Sequence, residues 1–333
     1  MSKPSHILLT HPVTARANWY GETALAALRE AGEVILNDAE KIFTPEQLIA
    51  AAKGCKVIVL DRQTPVGARE FAALPDLLAV VRSGVDIRYI DVAAASEAGV
   101  LVTRTPAGYV DSTAELVLGH IINAARRIPD YVTGYREGHV PGPLQGVELA
   151  GKTVGLIGYG RIARRLTEIL HVMNMRVLAH DPFTTVTAPA VAAELDSVVE
   201  QSDFLVPLLI ASDDTRGLIS AQRIARMKHG AFLVNCSRGD VIDEVALVAA
   251  LDSGRLAGVA MDVGCAPDNM PTPELAARRD VIATPHIGNL TREAQSRQPL
   301  NTVAQTRAVL SGSMPDHAIN PDCDLRLRRL AKA

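Results

Sequence analysis

The feature that most restricts this chain is the alternation of short, uninterrupted apolar runs with helical segments along nearly its whole length. "HILLT" leads to the helical "ETALAALREAG", and "EVILN", "KVIVL" and "LLAVV" follow with helical stretches between them. A continuous apolar run has neither face in water, and a helix-length connection lets the next strand run parallel to the last. Such strands form parallel sheets covered by helices on both sides. Thr44-Pro45 marks a helix start, and Gly32 and Gly54 mark helix ends. This first array spans roughly residues 5–103. A second runs through "KTVGLIGYG", "MRVLAHD", "SDFLVPLL", "GAFLVNC", "LAGVAMDV" and "DVIATPH". Between them lies the amphipathic "DSTAELVLGHIINAARRI", 111–128, with Ser112 or Thr113 as its cap. A last helical segment, "REAQSRQPLNTVAQTRAVLSG", has no strand after it to serve and packs most simply on the first array. The expected organisation is a discontinuous domain, 1–103 plus 291–333, with an inserted domain over 104–290.

Composition excludes several classes of function. A chain of 333 residues is too long for one ordinary core and suits two domains. The net charge is −3, and the only run of like charge is the short tail of Arg326, Arg328 and Arg329, read as a solvated end. Nucleic acid is therefore not an expected partner, because phosphate binding needs a concentrated basic face. No apolar run approaches the ~18 residues of a membrane span, and the start lacks the long apolar stretch of a signal peptide, so no membrane partner is expected. Cys55, Cys236, Cys265 and Cys323 are scattered, with no CxxC pair. Neither a disulfide framework nor a metal site is expected, and the cytoplasm is the expected location.

The second array opens on "TVGLIGYGRIARRL", where Gly158-x-Gly160-x-x-Ala163 follows an apolar strand and begins a helix. Gly158 allows a tight turn, Gly160 lets backbone approach a pyrophosphate, and Ala163 permits close helix–strand contact. The first N–H groups of the helix then face the phosphates. The next strand, "RVLAHD", ends in Asp181, 18 residues beyond Ala163. A carboxylate there accepts ribose hydroxyls and repels a 2′-phosphate, and no arginine or lysine follows in "HDPFTTVTAP". NAD, rather than NADP, is the expected cofactor.

A third segment, "DVIATPHIGNLT", sets His286 at the end of a strand-like run, between Pro285 and Ile287-Gly288. On its own, such a histidine reads as a packing or capping residue. Together with "GLIGYGRIARRL" and "LVNCSRGDVIDEVALVAALDSGRLAGVAMDV" it resembles the NAD-dependent D-isomer-specific 2-hydroxyacid dehydrogenases, with weaker similarity from about residue 57 to Pro321. That family includes phosphoglycerate dehydrogenase and the hydroxypyruvate and glyoxylate reductases. The resemblance implies an α/β protein of two doubly wound parallel-sheet domains, a flavodoxin-like substrate domain and a Rossmann NAD-binding domain. It implies hydride exchange between nicotinamide and C2 of a small 2-oxo or D-2-hydroxy acid. Arg238 matches the arginine that holds the carboxylate and polarises the carbonyl, work that suits a guanidinium fork. His286 matches the general acid/base, and histidine suits that role because it titrates near neutrality. By the same match Arg161 and Ile162 lie at the pyrophosphate, and Cys236 and Ser237 line the cofactor strand end through backbone contacts. Asp262 reaches the nicotinamide carboxamide and Gly288 lies near the ring. Ser83 and Gly84 fall in the loop that offers backbone amides to the substrate carboxylate. The stretch 111–128 and the following "YVTGYREGHVPGPLQG" match the dimer-forming region, implying a homodimer. The crossings near 103–106 and 288–292 match the hinges.

The chain departs from the family where a glutamate normally hydrogen-bonds the catalytic histidine. Here the sequence is "DVGCAPDNMPTPEL", which puts Ala266 or Pro267 at that position. Asp268 is the nearest carboxylate that a shifted loop could bring to His286, Glu274 is more distant, and a solvent-facing Asp268 is the simpler expectation. Without a negative partner the imidazolium is less stabilised, so reduction should decline at lower pH than in glutamate-bearing relatives. Leu208-Leu209-Ile210 stands where many relatives have His-x-Pro, making that wall of the nicotinamide pocket more apolar. Arg62 and Arg82, at strand ends of the first array, either read a second anionic group or pair with Asp61 and Asp86. Tyr109 either narrows the pocket or is buried in the linker. The leading expectation is an enzyme. The competing one is an NAD(H)-responsive binding or regulatory protein with weak or no turnover, to which the missing glutamate gives weight.

Overall fold

A computed structural model describes residues 6–210 and 212–330. The chain divides into two compact units, Met1–Gly108 with Thr291–Ala333, and Tyr109–Leu290. The last strand of the first unit runs to Arg104, and the turn after it stays with that unit. The division therefore falls at 108/109 instead of 103/104.

The first unit is built on five strands: β1 (His6–Leu9), β2 (Glu33–Leu36), β3 (Cys55–Leu60), β4 (Ala79–Arg82) and β5 (Leu101–Arg104). All pair in parallel in the order β2-β1-β3-β4-β5, the flavodoxin-like arrangement. Successive strand residues point to opposite faces, and the core divides accordingly. Ile7, Leu9, Val57, Val59 and Val81 bury into one layer, and Leu8, Ile58, Leu60, Val80 and Val102 into the other. Each such side chain contributes about 1.5–3 kcal/mol on burial. Thr44 and Gln47 form a reciprocal capping box at the helix Pro45–Ala52. The late helix Arg292–Leu310 lies against the helix Glu22–Ala31 and over β3 and β4, as the lack of a following strand suggests.

The second unit carries seven strands: β6 (Thr153–Ile157), β7 (Arg176–His180), β8 (Val191–Ala192), β9 (Phe204–Pro207), β10 (Ala231–Asn235), β11 (Leu256–Met261) and β12 (Val281–Ala283). They order β12-β11-β10-β9-β6-β7-β8, all parallel, which is the Rossmann arrangement with one strand added at the β11 edge. The two-residue β8 has no apolar run to announce it; both of its residues are exposed. The long helix begins at Val110 with Tyr109 as its cap, so Ser112 and Thr113 lie inside its first turn instead of capping it. The Thr113 amide donates to the Tyr109 carbonyl at 2.9 Å. Its hydroxyl is used elsewhere, donating to the Gly288 carbonyl at 3.0 Å. Among the described residues no helix is long and apolar enough to cross a membrane.

Candidate active site

Because every strand of the second unit runs the same way, the loops leaving β6, β7, β10, β11 and β12 emerge at one edge of the sheet. These loops carry Gly158, Asp181, Arg238, Asp262 and His286. Neighbouring strands lie about 4.8 Å apart. Arg238 leaves β10 and His286 leaves β12 with only β11 between them, so their strands are about 10 Å apart in the sheet.

The cradle after β6 has the properties a pyrophosphate requires. Gly158 has φ +95°, and a Cβ there would lie 2.5 Å from the Leu208 carbonyl oxygen, so only glycine fits the turn. At Gly160 a Cβ would meet nothing within 4 Å. The space is open, and Gly160 caps the twelve-residue helix Arg161–Val172 without a side-chain bond, leaving its first N–H groups unsatisfied. Arg161 is exposed beside that helix start with no ion pair among the described residues, while Ile162 packs partly into the core and Ala163 is fully buried. Asp181 accepts from the amides of Tyr159 (2.7 Å), Phe183 (2.8 Å) and Thr184 (3.0 Å), which fixes its carboxylate at the end of β7. The donors and the anchored acid fit a dinucleotide.

After β10, the buried Asn235 shapes the turn. Its Oδ1 accepts from the Ser237 amide and hydroxyl, each at 3.0 Å, and its Nδ2 donates to the Arg238 carbonyl at 2.9 Å. Burial, with the Asp262 carboxylate adding to it, pushes the Cys236 thiol far above the ordinary range, so this sulfur is an inert neighbour. Arg238 is exposed and spends one N–H on the Ser237 carbonyl at 2.7 Å. It makes no ion pair with Asp240 or Asp243 among the described residues, and the rest of its fork is available.

Asp262, buried after β11, organises the histidine loop. Its Oδ1 accepts from the Thr284 hydroxyl at 2.6 Å and the Ile287 amide at 2.8 Å, and its Oδ2 from the Gly288 amide at 2.8 Å. Its own carbonyl accepts from the His286 amide at 2.9 Å. Thr284 in turn accepts from Nε2 of His120 at 3.2 Å, a ring on the long helix. Burial lowers the pKa of His120, although Asp262 pulls it the other way. His286 adopts a left-handed backbone, φ +55°, and its exposed ring donates from Nδ1 to the main-chain carbonyl of Asp268 at 2.8 Å. No carboxylate forms an ion pair with it among the described residues; Asp268 and Glu274 both expose their side chains. Nε2 of His286 has no described partner.

In the first unit, Ser83 and Gly84 follow β4. Their amides are already engaged, with the Leu60 carbonyl at 3.0 Å and the Arg82 carbonyl at 2.9 Å. The amides of Val85 and Asp86, next in the loop, have no partner among the described residues. Arg82 is buried and holds this loop by donating to the carbonyls of Ser83 (2.5 Å), Asp86 (2.9 Å) and Leu60 (3.3 Å). Arg62 is exposed and unpaired among the described residues. Asp61 is buried and accepts from Thr10 and Thr64 hydroxyls and from the Gln63 and Thr64 amides. Tyr109, half-buried, caps the long helix.

Asn235, His120 and Thr284 carry no role in the sequence alone, and Thr113 reads there as a cap instead of a donor to Gly288. Asn235 and Thr284 stand at strand ends beside recognised motifs, a placement that could have marked them. His120 carries no local signal, since its partner lies 164 residues away.

A Rossmann sheet that presents an uncapped helix start beside an anchored acid defines a dinucleotide-binding unit, and the loops of Arg238 and His286 leave the same edge of that sheet. Residues 118–288 match the NAD-binding domain of the D-isomer specific 2-hydroxyacid dehydrogenases. The chain belongs to this family. It is 33% identical over 320 residues to D-3-phosphoglycerate dehydrogenase of Mycobacterium leprae, covering 93% of this chain and 59% of the relative. It is 34% identical over 286 residues to hydroxypyruvate reductase of Thermotoga maritima, covering 83% of this chain and 93% of that protein. A glyoxylate reductase structure from Paecilomyes thermophila superposes with a TM-score of 0.76 at 25% identity, covering 97% of this chain and all of that one, 100%. The chain thus spans about three fifths of the phosphoglycerate dehydrogenase it matches, 59%.

Proposed function

We propose that this protein interconverts a small 2-oxo acid and the corresponding D-2-hydroxy acid with NAD as its redox partner. The single observation that carries the reading is that a guanidinium with only one N–H engaged and an imidazole whose Nε2 has no partner among the described residues leave the same sheet edge with one strand between them. When bound, the reduced nicotinamide supplies a hydride for C2 of the substrate. Gly158, Gly160, Arg161 and Ile162 would hold the pyrophosphate, Asp181 the ribose, and Cys236, Ser237, Asp262 and Gly288 the nicotinamide end. In reduction, Arg238 binds the carboxylate in a two-pronged contact and polarises the adjacent carbonyl. His286 gives the proton on Nε2 to the carbonyl oxygen as C2 becomes tetrahedral, and takes it back in oxidation. The loop begun by Ser83 and Gly84 would bind the carboxylate through the amides of Val85 and Asp86, since its first two amides are engaged internally.

We further read the protein as a cytoplasmic homodimer. Its four cysteines are free, and Ile128, Val132, Tyr135, Val140 and Leu144 expose apolar surface on and just after the helix Ile128–Arg136. The test of function is loss of NADH absorbance with glyoxylate, hydroxypyruvate and bulkier 2-oxo acids, with His286→Asn as control. Turnover that collapses in the variant is expected. A protein that binds NADH but reduces none of these acids would instead be a dinucleotide-responsive regulator.

A further inference from the structure

The loop that lacks the family's glutamate is an ordered turn. Asp268 has φ +59° and ψ +22°, Asn269 has φ +56°, and the Met270 amide closes on the Pro267 carbonyl at 3.3 Å. Two consecutive left-handed residues make this a type I′ turn, and aspartate and asparagine are among the few residues that tolerate it. The Gly264 amide donates to the Asn269 carbonyl at 2.9 Å and the Ala266 amide to the Met270 carbonyl at 3.0 Å, so both arms are tied down. Gly264 also packs backbone to backbone against Gly239, the residue after Arg238; a Cβ on Gly239 would overlap it. The turn is thus braced against the arginine loop, and its outward carbonyl, that of Asp268, meets Nδ1 of His286 at 2.8 Å.

We propose that the turn Pro267–Met270 replaces the family's glutamate with a main-chain carbonyl, holding His286 as its Nδ1–H tautomer so that Nε2 alone exchanges the proton. This rests on His286 being the acid/base group. A carbonyl accepts but cannot donate, so Nδ1 must carry hydrogen whether the ring is neutral or protonated. In reduction the Nε2 proton goes to the substrate oxygen, and the neutral ring keeps its bond to Asp268. Orientation and tautomer are preserved by a dipole in place of a charge. The side chain of Asp268 matters through its tolerance of the left-handed backbone, making this a positioning residue.

Long-range proton–nitrogen spectra of protein labelled with [15N]histidine, in alkaline buffer and assigned through His286→Asn, read the tautomer directly. The expected spectrum has a protonated Nδ1 and a bare Nε2. Asp268→Asn, which accepts positive φ, should keep that pattern, whereas Asp268→Val, β-branched, should lose it. The kcat of the asparagine variant should exceed that of the valine variant by roughly tenfold or more, with NADH affinity in the two within about twofold. A protonated Nε2 in the parent spectrum overturns the proposal even if the valine variant does not fold. So does an asparagine variant as impaired as the valine one, which would make the carboxylate the partner. Undiminished turnover in His286→Asn would instead overturn the acid/base assignment itself.

Discussion

Asp262 is the residue on which the histidine loop depends, and Asp262→Asn measures that dependence. The carboxylate accepts three bonds at 2.6–2.8 Å, from Thr284, Ile287 and Gly288, in a site where both Asp262 and Gly288 are buried. Bonds to an ionised acceptor contribute about 1.5–3 kcal/mol each. Asparagine has one acceptor oxygen. Turned toward Thr284 and Ile287, it keeps two weaker bonds and points an N–H at the Gly288 amide, leaving a buried donor unsatisfied at about 1–3 kcal/mol. The expected loss is about 3–5 kcal/mol for the second unit, counting the two weakened bonds and the orphaned amide. Thr284→Val, which removes one donor and the partner of His120, should cost about 1–2 kcal/mol. Since His286 lies within the segment so loosened, kcat should fall on the order of 100-fold in Asp262→Asn. Urea unfolding and NADH turnover check the two numbers. An asparagine variant within about 1 kcal/mol of the parent and within threefold in kcat would refute the account of Asp262 as the hub, because three such bonds cannot be that weak.

Gly158→Ala places a Cβ against the Leu208 carbonyl at φ +95°, so it should destabilise the second unit by about 2 kcal/mol or more and weaken NADH binding. Unaltered affinity in a fluorescence titration would count against the cradle. NADPH should bind at least about tenfold more weakly than NADH because Asp181 meets a 2′-phosphate with like charge, and the reverse order would remove that assignment. Arg82→Lys cannot span three carbonyls; it should destabilise the first unit by about 2–3 kcal/mol and raise KM for the 2-oxo acid. Unchanged stability and KM would show that the loop does not depend on the guanidinium. Finally, burial lowers the pKa of His11 from 6.5 to about 4, and its Nδ1 has no hydrogen-bond partner among the described residues. The unfolded chain takes up a proton near pH 6.5 and the native one near pH 4, so stability is full above 6.5 and falls as pH drops through that window. The loss should reach about 3 kcal/mol near pH 4, and His11→Gln should flatten the urea-unfolding profile across it; an equal slope in the variant would exclude His11 as the cause.

Much of this protein was legible in order of residues alone, for reasons that are local. Apolar runs such as "KVIVL" bury on both faces, so parallel sheets follow from composition over five or six residues. Thr44 with Gln47 writes a helix start, and Gly158-x-Gly160 writes a turn that opens on phosphate. Asp181 follows from its step beyond the Gly158-x-Gly160 turn, whereas Arg238 and His286 take their roles only from the family resemblance of their motifs, since a strand-end histidine alone reads as a packing residue. The helix start at Val110 was less legible, because Ser112 and Thr113 have the chemistry of caps while the hydroxyl of Thr113 is drawn to Gly288, 175 residues on.

What the sequence by itself determined was the presence of two sheet-forming arrays, the cofactor cradle and the loss of the family's glutamate. What only the tertiary structure decided was the partner on the far nitrogen of His286. A side-chain substitute would have been written as a residue type, but a carbonyl is present at every position, and its direction is set by backbone angles. Two left-handed residues, braced by Gly264 and Gly239 from the loops after separate strands, aim the Asp268 carbonyl at the ring. The same holds for the Asp262 hub, whose donors lie 22 to 26 residues away and meet it only because adjacent parallel strands end side by side.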